Sequence, residues 1–211
     1  MAVHVFWDNS NIWIGLQNLC RNKDNTPPTA VRVYLKNLDD YVVRGRKTGE
    51  KVIAGSYPPE CEELLKSAQQ LGYNTKFLHR IDDANGMREQ GVDMHLQLKM
   101  SLAVNKGVEN EVMAVLTGDS HVDIDSDTSF IEVIELALEK GWTVEVYAVK
   151  DCLSEKTYLP LKEKYGASLQ IEYLDDIYRE ITFVVEGDYY YPEDRSNLIH
   201  VDRRVVGEKS W

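Results

Sequence analysis

Short apolar runs that indicate buried strands alternate with helical patterns along almost the whole chain. This alternation favours a parallel sheet, because a crossover between parallel strands carries a helix and is right-handed. The runs show no strict polar alternation, which is typical of strands that are buried on both faces. We therefore predict an α/β fold, a three-layer sandwich with a mainly parallel, Rossmann-like sheet. The predicted strands are 3–8, 50–57, 73–79, 111–119, 142–149 and 168–173, and the predicted helices are 12–20, 29–43, Pro58 to Gly72, 92–104, 129–140 and 154–164.

The length of 211 residues is sufficient for one domain and short for two. We assign residues 1–182 to this domain. Beyond residue 183 the sequence becomes polar and aromatic without a clear period, and we interpret 183–211 as a C-terminal extension.

The sequence shows no targeting or membrane signal. No apolar run approaches the roughly 18 residues of a membrane span, and no basic and apolar leader pattern stands at the N-terminus. The cysteines, Cys20, Cys61 and Cys152, are odd in number and widely spaced, which is typical of reduced thiols. We expect a cytoplasmic protein with no membrane association, and a nuclear location stays open.

The net charge limits the kinds of nucleic-acid binding that this chain can support. It is −11, with a pI near 4.9. Proteins that bind duplex nucleic acid through their general field are usually basic, because neutralising phosphates drives that binding. A broad, non-specific binder is therefore disfavoured. A nucleic-acid enzyme that relies on local basic loops and bound metal remains compatible with the charge.

Three aspartates lie where the predicted elements place them at one edge of the sheet. Asp8 ends the first strand, Asp119 ends a later strand, and Asp93 lies in the first turn of a helix. Each alone is usually a helix cap or a solvated turn, and after Asp8 either Ser10 or Asn11 is a possible cap. Together they predict a Mg²⁺ or Mn²⁺ site, because clustered carboxylates repel one another without a cation. Such a site favours metal-assisted phosphodiester hydrolysis.

A run of acids follows Asp119, with Asp123, Asp125 and Asp127 at alternate positions. The spacing suggests a calcium loop, but Thr128 stands where the turn needs glycine, and Ile134 stands where the loop needs a bidentate Glu. An EF-hand is therefore rejected. We expect one of these acids to face the metal, with Asp127 favoured because it lies nearest to the following helix, and the others to be solvated.

Three segments resemble the NYN domain family, relatives of the PIN-like ribonucleases. They are FWDNSNIWIG, QGVDMHLQLKM and LTGDS, the last followed by SFIEVIELALEKGWTVEVYAV, and the resemblance covers roughly residues 1–180 in the family's order. The resemblance implies a PIN-like sandwich with a parallel sheet. It also implies an acidic Mg²⁺ or Mn²⁺ site and RNA as the usual substrate class.

The resemblance also implies roles for individual residues. Asp8, Asp93 and Asp119 match the family's acids and are predicted to be both metal ligands and catalytic residues. Asn11 is predicted to orient a water, a phosphate or Asp8 itself. Ser120, in the Gly-Asp-Ser motif, is predicted to contact substrate.

Two positions depart from the family's pattern. Lys99 stands where relatives often carry an acid, and His121 stands where a second acid usually follows Ser120. Asp127 or its neighbours in the run can replace the missing ligand, or the site is weakened and nuclease activity is lost. His121 itself is either a proton donor or metal ligand, or a solvated loop residue.

Basic residues are predicted to supply the RNA contacts. Arg80 and Arg88 flank the loop that leads to Asp93, so they are the candidates for binding RNA phosphates, although the same pattern fits an ordinary surface loop. The complete prediction is a metal-dependent ribonuclease that acts on single-stranded RNA. The alternative is a catalytically silent domain that binds RNA or a protein partner, and a homodimer is possible in either case.

Overall fold

The structure is a computed structural model that describes residues 1–56, 61–78, 81–83, 86–88, 91–117 and 130–211, with the backbone alone at 56, 61, 78, 81–83 and 86–88. Its strands are β1 (Val3–Asp8), β2 (Val31–Val33), β3 (Thr48–Ser56), β4 (Asn74–Leu78), β5 (Ile81–Asp83), β6 (Gly86–Arg88), β7 (Val112–Leu116), β8 (Thr143–Ala148), β9 (Leu169–Tyr173), β10 (Thr182–Val184), β11 (Gly187–Tyr191) and β12 (Asp194–Val201). Its α-helices are α1 (Asn9–Asp24), α2 (Leu35–Val43), α3 (Cys61–Gln70), α4 (Val92–Lys106), α5 (Phe130–Glu139), α6 (Glu155–Tyr165) and α7 (Tyr178–Ile181).

Six strands form one central sheet in the order β4-β3-β1-β7-β8-β9, and every neighbouring pair is parallel. These are the six strands that the apolar runs predict, so the predicted α/β fold with a mainly parallel sheet is confirmed. The segment Val112–Leu116 shows why the pattern was informative, because all five of its residues are buried. A strand that is covered on both faces has no position that favours a polar side chain.

Helices cover both faces of the sheet and give the three layers. Val5 and Trp7 of β1 point into a core shared with α1, α2, α3 and α7, whereas Phe6 points into a second core shared with α4, α5 and α6. The side chains of β1 therefore alternate between two apolar layers. Among the described residues, no helix is long and apolar enough to cross a membrane.

The predicted single helix over residues 29–43 was wrong in its first part. Residues 28–30 form a 3₁₀ turn, Val31–Val33 forms β2, and α2 begins only at Leu35. The β2 strand pairs antiparallel with Thr182–Val184 of β10. The β-branched residues at both ends of β2 favour a strand. Its partner strand lies about 150 residues further along the chain, so the local helical period could not indicate the pairing.

The segment predicted as a C-terminal extension forms ordered structure against the rest of the chain. After β10 the chain makes the antiparallel pair β11–β12, and Val184 then bridges to Arg204. The Trp211 ring packs edge-on against Tyr41, with 5.0 Å between ring centroids. These contacts hold the segment against α1 and α2.

The amino edge of the sheet contains an ion pair with a buried carboxylate. Both terminal guanidinium nitrogens of Arg46 donate to the carboxylate of Glu145, at 2.6 and 2.8 Å, and the hydroxyl of Tyr147 donates to the same carboxylate at 2.7 Å. Glu145 is only 4% exposed. Burial alone would raise the pKa of Glu145, but the bonds from Arg46 and Tyr147 outweigh it and hold the pKa below its ordinary value.

Two further polar clusters lie at the same edge of the sheet. Lys51 contacts the carboxylate of Asp39 at 2.7 Å, and the Tyr73 hydroxyl donates to that carboxylate at 2.8 Å. The His4 ring lies 3.1 Å from a carboxylate oxygen of Glu111. The polar groups of these two clusters thus have charged or hydrogen-bonding partners, which offsets the cost of their burial.

Replacing Glu145 with Ala is expected to lower the free energy of unfolding at pH 7 by about 2 kcal/mol, because it removes the acceptor that the half-buried Arg46 guanidinium and the buried Tyr147 hydroxyl share. Urea denaturation measures the change, with Glu163→Ala on the exposed face of α6 as the matched control. Because the folded-state pKa of Glu145 is depressed, its contribution is complete above the unfolded-state pKa and is lost as the pH falls through the folded-state pKa. The wild type should therefore lose stability more steeply than Glu145→Ala below about pH 4. Parallel acid profiles would contradict this assignment.

Candidate functional site

The strand order contains one point where the direction of winding reverses. From β1 the chain adds β3 and then β4 on one side, and it then returns to add β7, β8 and β9 on the other side. The crevice outside the carboxyl ends of β1 and β7 is therefore the position where open α/β sheets bind ligands. The predicted acids Asp8 and Asp119 follow these two strands.

Asp8 is both the last residue of β1 and the cap of α1. Its Oδ1 accepts a hydrogen bond of 3.1 Å from the backbone N–H of Asn11, and the side chain is almost fully buried. The helix cap is therefore Asp8, and not Ser10 or Asn11, which had been considered for that role. The unpaired N–H groups at the start of α1 favour a negative charge there, so a buried carboxylate is tolerated at this point.

Asp93 lies in the exposed first turn of α4, after Gly91 in the left-handed conformation with a φ of 86°. The other end of α4 marks the amino edge of the sheet, because Gly107 lies directly against the Trp142 indole just before β8. The helix therefore runs antiparallel to the strands. Its first turn, with Asp93, is at the carboxyl edge, on the same edge as Asp8.

The third strand end is described only as far as Thr117. This residue is fully buried, and its N–H donates to the carbonyl of Tyr147 at 3.1 Å. Most of the remaining predicted site residues lie outside the described residues, and for Arg88 only the backbone, in β6, is described. The predicted residues outside the description are Arg80, Asp119, Ser120, His121, Asp123, Asp125 and Asp127.

The donor chemistry of the two described acids fits a hard divalent cation. Mg²⁺ is commonly held by one or two carboxylates together with waters and phosphate oxygens, and Asp8 and Asp93 supply carboxylates from two elements at one edge. Within the described part of the chain, no group of three or more His, Cys, Asp or Glu side chains is placed to hold a metal ion. The predicted third ligand, Asp119, falls outside that part.

Lys99 contacts an acid away from this edge. Its Nζ lies 3.5 Å from Oε1 of Glu50, which is near the start of β3. Position 99 is about 9 Å along the helix from Asp93, toward the amino edge. The position at which the chain departs from the NYN pattern thus carries a lysine in a partly exposed ion pair. Burial lowers the pKa of the neighbouring His95, and the charges of Lys99 and Lys76 lower it further.

Two buried residues at this edge were not among the predicted site residues. Asn9 and Ser10, in the first turn of α1, are buried against β3, and a Cβ on Gly55 would lie 3.2 Å from Cβ of Asn9 and 3.1 Å from Oγ of Ser10. The polar run DNSN is the sequence signal for them. Its burial depends on β3 lying beside β1, a long-range pairing that the local sequence does not indicate.

Comparison with known proteins does not identify a family. No protein-family model matches the chain, and no curated protein matches it significantly. The resemblance to the NYN family therefore stays a prediction from the quoted motifs.

The two roles considered for Asp8 can be separated by substitution. Asp8→Ala should cost about 1 kcal/mol of stability through the lost cap, whereas Asp8→Asn should cost only a few tenths, because Asn caps helices as well as Asp. Thermal and urea unfolding without metal measure both variants. Equal losses would show that the charge, and not the cap, accounts for the contribution of Asp8 to stability.

Placing at position 99 the acid that NYN proteins often carry there should not build a metal ligand. Lys99→Glu places a second carboxylate beside Glu50 and should lower stability by about 1 kcal/mol, while Lys99→Gln, which only removes the pair, should cost about half as much. Titration with Mn²⁺, followed by melting temperature, should give the same gain in both variants. A larger gain in Lys99→Glu would show that position 99 does face the metal site.

Proposed function

We propose that this chain is a metal-dependent ribonuclease that hydrolyses phosphodiester bonds of single-stranded RNA at the carboxyl edge of its sheet. The observation that supports it most is the position of Asp8. A buried carboxylate ends the central strand at the reversal of strand order, beside the N-terminus of α1. This is where an acid can hold a cation against a phosphate.

Asp8, Asp93 and Asp119 would hold Mg²⁺ or Mn²⁺, with Asp127 as the replacement ligand from the acidic run. The bound ion supplies an activated water and polarises the phosphoryl group. Asp8 keeps a fixed orientation because the N–H of Asn11 holds its Oδ1. The side chain of Asn11, together with Ser120, would orient the phosphate, and Arg80 and Arg88 would bind neighbouring phosphates.

The chain's charge of −11 makes the cation necessary in this proposal. An acidic protein repels RNA at long range, so productive contacts have to be local and partly metal-mediated. Cys20 and Cys152 are free thiols, which supports the cytoplasmic location that we propose.

A second function follows from the same acid. Because Asp8 caps α1, its presence has a structural reason that needs no metal. This observation favours a catalytically silent domain that binds RNA or a protein partner as the alternative. The two proposals differ in whether removing the charge of Asp8 changes anything beyond stability.

Purified protein should cleave a labelled, unstructured RNA with Mg²⁺ or Mn²⁺ and should leave it intact in EDTA. Asp8→Asn keeps the cap and should reduce the cleavage rate at least about 100-fold, because even a residue that only positions a metal ligand costs about 10- to 100-fold when it is lost. Asp119→Asn should have the same effect, and Glu163→Gln, which removes one exposed acid from α6, should leave the rate unchanged.

Metal linkage provides a readout that is independent of cleavage. Mn²⁺ at 100 times its dissociation constant should stabilise the wild type by about 2.7 kcal/mol, and Asp8→Asn should lose most of this gain. Intact RNA under both metals, without a metal-dependent shift in melting temperature, would overturn the ribonuclease proposal in favour of the silent domain.

A further inference from the structure

A groove of about 690 Å³ opens beside Asn9, on the face of the sheet that α1, α2 and α3 cover. Its volume lies within the range of about 300–1,000 Å³ that ligand pockets occupy. Its walls come from four parts of the chain: α1, β2 with the start of α2, α3, and β10 with the residue that follows it. The lining residues on which the argument depends are Trp13, Arg32, Tyr34, Lys36, Ser67 and Phe183.

Aromatic rings form much of this groove. Tyr34 is 41% exposed, although it is a large residue, and Trp13 and Phe183 are half-buried. The Trp13 indole N–H donates to the carbonyl of Val31 at 3.3 Å, which fixes the ring in its orientation. The accessible faces of these rings offer stacking surfaces. Any base can stack on them because every base has a π-face.

Cationic side chains lie at the rim of the groove. The Arg32 guanidinium donates to the carbonyl of Thr29 at 2.7 Å and to that of Val31 at 3.1 Å, so its charge is held in place beside the rings. Lys36 stands in the first turn of α2 and also contacts Asp40. Glu63 also lines the groove and Lys36 is paired, so the favourable position for a phosphate is beside Arg32, and the aromatic walls next to it suit flat bases.

One lining residue of the groove is the neighbour of Asp8 in the sequence. Asn9 lines the groove and directly follows Asp8 in the first turn of α1, and Trp13 lies one turn further, about 6 Å along the helix. The groove therefore begins within one turn of α1 from Asp8, and a strand whose phosphate lies at this edge would need only a short extension to place a base there. An apolar peptide would bury the walls, but it would also remove the Arg32 guanidinium from water, which costs free energy.

We propose that this groove binds one or two unpaired bases of a single-stranded RNA, next to the phosphate at the carboxyl edge. The inference rests on the proposed function, since it takes RNA as the ligand of that edge. It adds a subsite that binds unstacked bases of any sequence. Paired RNA, whose bases are already stacked in the helix, is excluded from this subsite.

The test compares two charge changes on one helix. Ser67 is exposed on α3 and lines the groove, whereas the exposed Gln69 does not line it. Ser67→Glu should weaken binding of a fluorescein-labelled, single-stranded 10-mer RNA at least about 5-fold, and Gln69→Glu should change it less than about 2-fold. All variants are made in the Asp119→Asn background with Mg²⁺ present, so that the RNA stays intact during anisotropy measurements.

Stacking is tested separately with Tyr34→Ala. Losing one stacking ring should weaken binding about 5- to 150-fold, while Tyr190→Ala, at an exposed ring on the β11–β12 hairpin, should leave it unchanged. A 10-mer with abasic sites should bind wild type and Tyr34→Ala equally well, because it has no base to stack. Unfolding curves confirm that each variant is folded before it is compared.

The outcomes separate this inference from the proposed function. Equal RNA affinity for Ser67→Glu and Gln69→Glu, while the unmodified wild type cleaves RNA, overturns the groove and leaves the ribonuclease standing. Groove-dependent binding without cleavage by the wild type supports the groove and overturns catalysis. Neither binding nor cleavage by the wild type overturns both.

Discussion

The structure depends on the position of β1 between two parallel neighbours. Its backbone pairs with β3 on one side and β7 on the other, so both of its edges are occupied. Because parallel strands are joined by crossovers that carry helices, this pairing places helices against the sheet and brings α1 and α4 to start at the same edge. Asp8 caps α1 and Asp93 begins α4 at this edge as a consequence of the winding.

The two edges of the sheet carry different kinds of polar groups. At the amino edge, ion pairs such as Arg46 with Glu145 and Lys51 with Asp39 neutralise buried charge and fix the packing of helices on strands. At the carboxyl edge, the acids follow strand ends and helix starts, where backbone N–H groups favour negative charge. The fold therefore separates the groups that stabilise it from those that are proposed to bind a cation and RNA.

The sequence was sufficient for the sheet and for the edge on which two acids lie. Doubly buried strands such as Val112–Leu116 have an unambiguous pattern, and the winding then determines the position of Asp8 and Asp93. The sequence was insufficient where a partner comes from far along the chain. Val31–Val33 was predicted as helix because its strand partner, Thr182–Val184, lies far along the chain and the local sequence shows no strand period. The pair of Lys99 with Glu50 is hidden for the same reason.

The pairing of β2 with β10 also sets an order of events during synthesis. A nascent chain that has only reached α6 already carries Trp13, Arg32 and Tyr34, but the wall that includes Phe183 is still missing. Domains form as the ribosome releases them, at about 5–20 residues per second, and pairings of distant segments come last. The groove therefore exists only once synthesis has passed β10. A product truncated before Phe183 would have the acidic edge without the surface that we propose holds the bases.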